Sequence, residues 1–264
     1  MENRIDRRLA HLRAQGRKAL APFVTVGYPD VDTSRRLGQT LLESGADMLE
    51  LGVPFSDPLA DGPTIQMTSQ HALAQGVNVA ICLETVAWLR ERRPQDPLVL
   101  MGYYNPFLRF GLERFVSEAA RSGADGLIVP DLPPEESGEL RGLCSAAGLH
   151  LVPLLAPTST EERIRSACKG ARGFIYCVSL TGVTGARDRL SGDLPRLVER
   201  IRRHTELPIL VGFGISRREH VEEVGRYADG VVVASALLNA IAQSPPEEAL
   251  QVAAQFVRGL RPEG

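Results

Sequence analysis

Eight short β-branched or aliphatic runs recur along the chain and limit what it can fold into: 20–26, 48–53, 98–101, 126–130, 151–155, 173–178, 208–211 and 230–234. Each has the length and composition of a strand buried on both faces, as parallel strands are. Between them the apolar spacing changes to i, i+3, i+4, i+7, as in Leu112, Phe115, Val116 and Ala119, in Leu140, Leu143, Cys144 and Ala147, and in Leu194, Leu197, Val198 and Ile201. That is the stripe of a helix laid on a core. Strand and helix therefore alternate about eight times, which predicts a (β/α)8, or TIM, barrel. A doubly wound open sheet uses the same units, but no Gly-x-Gly-x-x-Gly turn follows the first run.

The punctuation fits the barrel. Asp193 is expected to cap a helix, and Ser216 with Glu219 three residues on reads as a capping box. The phrase Ser44-Gly45-Ala46-Asp47 returns as Ser122-Gly123-Ala124-Asp125, with an echo at Ala228-Asp229-Gly230. Glycine in that phrase can take the left-handed conformation that ends a helix before the next strand. Ile5, Leu9 and Leu12 predict a short N-terminal helix that plugs the barrel bottom. Further elements are expected after the second strand, where residues 54–63 form a Pro- and Asp-rich loop, and near the eighth. Loops of that length on a compact barrel are usually functional.

At 264 residues and 44% hydrophobic, the chain suits one barrel domain spanning 1–264. Thirty basic residues face 32 acidic ones without a run of like charge, so neither nucleic acid nor an anionic membrane is an expected partner. No segment has a signal-peptide core or the roughly 20 apolar residues of a membrane span, and a cytoplasmic location is expected. Cys82, Cys144, Cys168 and Cys177 form no Cys-x-x-Cys pair and read as reduced, mostly buried side chains.

Barrels work at the C-terminal ends of their strands. There Glu50 stands inside Met48-Leu49-Glu50-Leu51-Gly52, where burial raises a carboxyl pKa and suits it to proton transfer near neutrality. A structural glutamate paired with an arginine in the core explains the same position. Asp57-Pro58 reads as a turn, and Asp61-Gly62-Pro63 as a helix cap with proline behind it. Gly182-Val183-Thr184-Gly185, Gly212-Phe213-Gly214-Ile215-Ser216 and Ala234-Ser235 follow three consecutive late runs. Backbone N–H groups at such turns can cradle a phosphate, though glycines also serve tight turns alone.

Lys18 and Lys169, the only lysines, precede strands and so fall on the opposite face, which leaves no Schiff-base amine. His11, His204 and His220 fall on helices and His150 at a strand start, so only His71 could approach the working face, and no metal site is expected. Carboxylate acid-base chemistry on a phosphorylated substrate is what remains.

The run from Leu49 through Glu50, Val53-Pro54-Phe55-Ser56-Asp57-Pro58-Leu59-Ala60-Asp61 to Gly62-Pro63 closely resembles the signature of the tryptophan synthase alpha chain family. Phe174-Ile175-Tyr176-Cys177-Val178-Ser179, Gly182-Val183-Thr184-Gly185 and Gly212-Phe213-Gly214-Ile215 resemble its other motifs in the same order. The resemblance implies a lyase that cleaves indole-3-glycerol phosphate to indole and glyceraldehyde 3-phosphate, with Glu50 and Asp61 catalytic. It places Phe23, Tyr103, Tyr176, Thr184 and Phe213 at the substrate, and Gly185, Gly214, Ala234 and Ser235 at its phosphate.

It further implies no cofactor in this chain, a beta-chain partner that uses pyridoxal phosphate, an α2β2 assembly, passage of indole between the sites, and a loop from Pro54 to Asp61 that faces the partner. A stand-alone lyase that releases indole and a silent subunit that only activates the beta chain are the other readings. Ala234 stands where the family commonly has glycine, and Leu180 where some members have arginine.

Overall fold

The computed structural model describes residues 3–178, 193–212 and 214–261. Helix α1 (Arg4–Ala14) precedes β1 (Ala19–Thr25), α2 (Val31–Glu43) and β2 (Leu49–Gly52). Two helices follow β2, α3 (Pro63–Ala74) and α4 (Val79–Arg92), and two follow β3 (Leu98–Met101), α5 (Tyr104–Phe110) and α6 (Leu112–Ser122). Then come β4 (Gly126–Ile128), α7 (Gly138–Ala146), β5 (His150–Val152), β6 (Leu154–Leu155), α8 (Glu161–Cys168) and β7 (Ile175–Val178). The chain ends with α9 (Asp193–Arg202), β8 (Ile209–Gly212), α10 (Arg218–Gly225), β9 (Gly230–Val233), α11 (Ser235–Gln243), a single tight turn at Pro246–Glu248, and α12 (Ala249–Leu260).

Every strand pairing is parallel, in the order β5-β4-β3-β2-β1-β9-β8-β7-β6. The run 151–155, expected as one strand, is divided into β5 and β6 by Pro153, which has no N–H to donate to a ladder. Its carbonyl still accepts the Tyr176 N–H at 3.0 Å, so the ring is continuous and the eight-unit barrel is closed. The extra helices after β2 and β9 were expected, and α5 was not. Among the described residues, no single helix is long and apolar enough to cross a membrane.

Alternate strand residues divide two cores. Leu20, Leu49, Leu51, Leu98, Leu100 and Leu127 pack outward under the helices. Ala19, Ala21, Met48, Val99, Ile128, Val152, Phe174, Tyr176, Leu210 and Val232 pack inward. The inner core is closed below by Ile5, Leu9 and Leu12 of α1, so this helix is the expected plug. Burying three such side chains stabilises the barrel by about 5 to 9 kcal/mol at roughly 1.5–3 kcal/mol each. Asn3 caps α1 with its side chain, and Arg4 reaches Asp125 at 3.0 Å.

The recurrent Ser-Gly-Ala-Asp phrase does two things. Gly45 (φ 109°) and Gly123 (φ 94°) turn the chain out of α2 and α6. The aspartate then grips the preceding strand. Asp47 N–H donates to Leu20 O at 2.8 Å while its carboxylate accepts Leu20 N–H at 2.9 Å. Asp125 does the same with Leu98 (2.8 and 2.9 Å) and Asp229 with Ile209 (2.9 and 2.8 Å). Each carboxylate also holds an arginine: Arg261 at Asp47, Arg90 at Asp125, Arg202 at Asp229.

One expected cap is corrected. Arg217, not Ser216, occupies the cap position of α10, and no side chain caps that helix. Ser216 N–H instead donates to Nδ1 of His220 at 3.4 Å, a side chain only 3% exposed, so the buried imidazole takes the contact that Glu219 was expected to share. Asp193 is the first described residue of α9 and lies in its first turn.

Candidate active site

Glu50 is placed by strand alternation. Leu49 and Leu51 belong to the outer core, and Met48 to the inner. Glu50 therefore faces the axis, one layer above Met48 and in register with Phe23 of β1 and Val99 of β3. It is 1% exposed and its Oε1 has no hydrogen-bond partner. No cation pairs with it among the described residues, so no core ion pair accounts for its burial there. Burial alone pushes its pKa from 4.5 to about 8. At neutral pH the group is mostly the acid, and it can release and recover a proton.

Asp61 ends the loop that leaves β2. Turn bonds run from Leu59 N–H to Asp57 O and from Asp61 N–H to Pro58 O, both 3.0 Å. The cap of α3 is Gly62, with Pro63 in the first turn and no side-chain capping bond, so the expected capping role of Asp61 is not what its carboxylate does. Its partner is the hydroxyl of Tyr103. Burial raises the Asp61 pKa to about 6, and the Tyr103 hydrogen bond holds it down against that. The same phenol oxygen accepts the Ala60 N–H at 2.9 Å, and the Tyr103 ring lies 5.2 Å from that of Phe55. Tyr103 thus fixes the loop at both Ala60 and Asp61. The residues that position Asp61 are 42 apart in sequence from their anchor, and no local pattern announces the contact.

Two aromatic rings use glycine at the top of the adjacent strand. A Cβ on Gly52 would lie 2.3 Å from Cζ of Phe23, and one on Gly212 would lie 2.3 Å from Oη of Tyr176. Both rings are nearly buried, at 3% and 6% exposed. Desolvation holds the Tyr176 phenol well above its ordinary pKa, with the charges of Glu50 and Asp61 acting in the same direction. Both carboxyls therefore lie within electrostatic reach of Tyr176.

On the far side of the same barrel end, Gly214 (φ 58°) has open space above it, Ala234 occupies the cap position of α11, and Ser235 begins that helix. The first N–H groups of a helix have no partners within it and attract anions. Thr184, Gly185, Leu180 and Phe213 lie outside the described residues. His71 sits on α3 with Nε2 2.9 Å from Pro29 O, its ring edge-on to Tyr28.

A (β/α)8 barrel with a buried carboxyl on its axis, unpaired among the described residues, and a second carboxylate on the loop that leaves the same strand is the architecture of a barrel enzyme built for proton transfer. The model of the family described as tryptophan synthase alpha chain matches residues 9–261. The tryptophan synthase alpha chain of Roseiflexus sp. (strain RS-1) is 56% identical over 259 residues, covering 98% of this chain and 99% of that one. That of Chloroflexus aurantiacus is 50% identical over 258 residues, 98% of this chain and 97% of the relative. Among solved structures, tryptophan synthase of Mycobacterium tuberculosis superposes with a TM-score of 0.91 at 37% identity, covering 98% of this chain and 97% of that chain. The alpha subunit from Legionella pneumophila has the same TM-score at 36% identity, again covering 98% and 97%. The chain belongs to the tryptophan synthase alpha chain family.

Proposed function

We propose that Glu50 and Asp61 share the alpha-chain reaction in this protein, the retro-aldol cleavage of indole-3-glycerol phosphate to indole and glyceraldehyde 3-phosphate. Breaking the carbon–carbon bond needs an electron sink. Protonation of indole ring carbon 3 makes one, an iminium-like ring whose N–H carries positive character. Glu50, acidic at neutral pH, delivers that proton and as carboxylate removes one from the glycerol hydroxyl, so the bonding pair passes into the ring and the aldehyde forms. Asp61, ionised above about pH 6, accepts the ring N–H and stabilises the charge as it develops. The observation that carries this reading is Glu50 itself: buried, facing the axis, and without an ion partner among the described residues.

Phe23 and Tyr176 wall the indole, together with Phe213. Tyr103 stands at its edge and positions Asp61. Thr184 orients Asp61 when its loop closes, and Gly185, Gly214, Ala234 and Ser235 hold the phosphate through backbone N–H groups and the Ser235 hydroxyl. The Ala234 N–H remains available despite its methyl. The chain acts as one cytoplasmic domain, without a cofactor of its own, in an α2β2 complex with a beta chain that carries pyridoxal phosphate and receives the indole. Leu59, 95% exposed on the loop above the site, supports that partner surface, because a large apolar side chain standing free in water is stabilised by being covered.

Indole release from indole-3-glycerol phosphate tests the proposal, measured with and without beta chain for the native protein and Glu50→Gln. The expected result is an active native protein, accelerated by beta chain, and a silent variant that still binds substrate. An active variant overturns the role of Glu50, and a native protein inactive even with its partner overturns the lyase assignment.

A further inference from the structure

The outer helix layer is open at one place. Helix α7 packs on α6 and α8 packs on α9, but α7 and α8 scarcely meet. Beside it, between α7 and the segment 170–172 that follows α8, lies a cavity of about 330 Å³ on the barrel's flank, below the level of the catalytic end. Its floor is Leu149 and Leu151 at the start of β5, and one wall is α7 at Gly138 and Gly142, where a side chain would meet nothing within 4 Å. Both glycines are exposed, and neither projects a side chain into the space.

The charges around this gap are of one sign. Arg141 of α7 and Arg172 of the segment after α8 both line it, and among the described residues no carboxylate does. Arg141 is held in place by its Nη1 on Lys169 O (3.0 Å) and Nη2 on Ser137 Oγ (2.9 Å), which leaves further N–H groups of its fork unused. Arg172 is exposed and has no hydrogen-bond or ion-pair partner among the described residues. His150, also in the lining, has Nε2 2.8 Å from Asp6 of α1, so that acid is already engaged. A concave site that brings two guanidinium groups together concentrates positive potential, and arginine recognises carboxylate or phosphate in a fork. Its size lies in the range of small-molecule sites.

We propose that this cavity beside α7 is a second binding site, separate from the catalytic end, for a small organic anion: an apolar body seated on the half-buried Leu151, with its carboxylate or phosphate between Arg141 and Arg172. The site does not depend on the reaction proposed for Glu50.

Phenyl phosphate titrated into isotope-labelled full-length protein, followed through backbone amide resonances, tests it. The expected result is saturable shifts at Gly142, Ser145, Leu151 and Arg172. Affinity there should fall about tenfold in Arg172→Gln, the loss of one charge-assisted contact. It should also fall in Gly142→Leu, which fills the space at an exposed helix position that tolerates leucine. Phenyl phosphate should also shift Gly214 and Ser235 at the catalytic end, and neither variant should alter that response, which serves as an internal control for folding. Benzoate should bind the cavity as well, with inorganic phosphate at least tenfold weaker. Shifts confined to Gly214 and Ser235, or cavity shifts unchanged in both variants, overturn the proposal. Inorganic phosphate binding the cavity as tightly as phenyl phosphate overturns its apolar part.

Discussion

Glu50→Gln should make the protein more stable while making it inactive, and the pH dependence of that gain can be worked from the structure. The unfolded chain ionises Glu50 near 4.5, whereas the folded protein keeps its proton to about 8. Between these values the native state binds more protons than the unfolded state, so raising the pH favours unfolding. The penalty is absent below about pH 4.5, grows through the interval and is complete above about pH 8. At about 1.4 kcal/mol per pH unit, native protein should lose about 4 kcal/mol between pH 5 and pH 9 on this account. Glutamine occupies the same space without a charge, so the variant lacks this term. Urea unfolding of both proteins at unit pH steps gives the difference directly, since all other titrating groups are common to the pair. The curves should lie close together at pH 5 and diverge upward in pH, with the variant above. A constant difference, or one that closes as pH rises, would refute the burial argument for Glu50 and with it the supply of an acid at neutral pH.

Three further results are expected. Tyr103→Phe removes the hydrogen bond that holds the Asp61 pKa down, so the acid limb of the kcat/KM profile should move upward from about pH 6, while a purely structural role would lower the rate without moving the limb. Gly212→Ala forces a methyl to within 2.3 Å of the Tyr176 hydroxyl oxygen and 2.7 Å of ring carbons. It should cost about 1–3 kcal/mol in urea unfolding, and Tyr176→Phe in the same chain should recover part of that, a coupling readable in a double-mutant cycle. Asp125→Ala leaves Arg4, Arg90 and the Leu98 N–H without their carboxylate, and should lower stability by about 3–5 kcal/mol at pH 7 while kcat stays unchanged in protein that remains folded.

The barrel was legible because its signal is repetitive. Strand runs such as 98–101 and helical stripes such as Leu112, Phe115, Val116 and Ala119 report burial directly, and a closed ring is what eight such units make. Glu50 stood out because a carboxyl between leucines of an inner strand is costly. Where reading failed, a distant residue had competed with a local rule. Asp61 looked like a helix cap, but Tyr103 takes its carboxylate and Gly62 holds the cap position. Ser216 looked like half of a capping box until His220 folded back to it. Helix α5 is too short to show an apolar stripe, and Pro106 sits in its first turn, where proline is tolerated. The α7–α8 opening could not be read at all, since an absent side chain leaves no periodic trace.

The aspartate grips at the barrel bottom divide the molecule into quarters. Asp47 joins β1 to β2, Asp125 joins β3 to β4, and Asp229 joins β8 to β9, each fixing register at the foot of its pair. The remaining quarter, β5 and β6 with β7, is interrupted at Pro153, and the segment before β7, Ala171-Arg172-Gly173, offers no carboxylate. That quarter also borders the open flank between α7 and α8. Local opening follows the least secured cooperative unit. Amide exchange should therefore be fastest, among the strands, in β5 to β7, and the barrel should come apart there first, on the side away from the β1–β2 seam that carries Glu50.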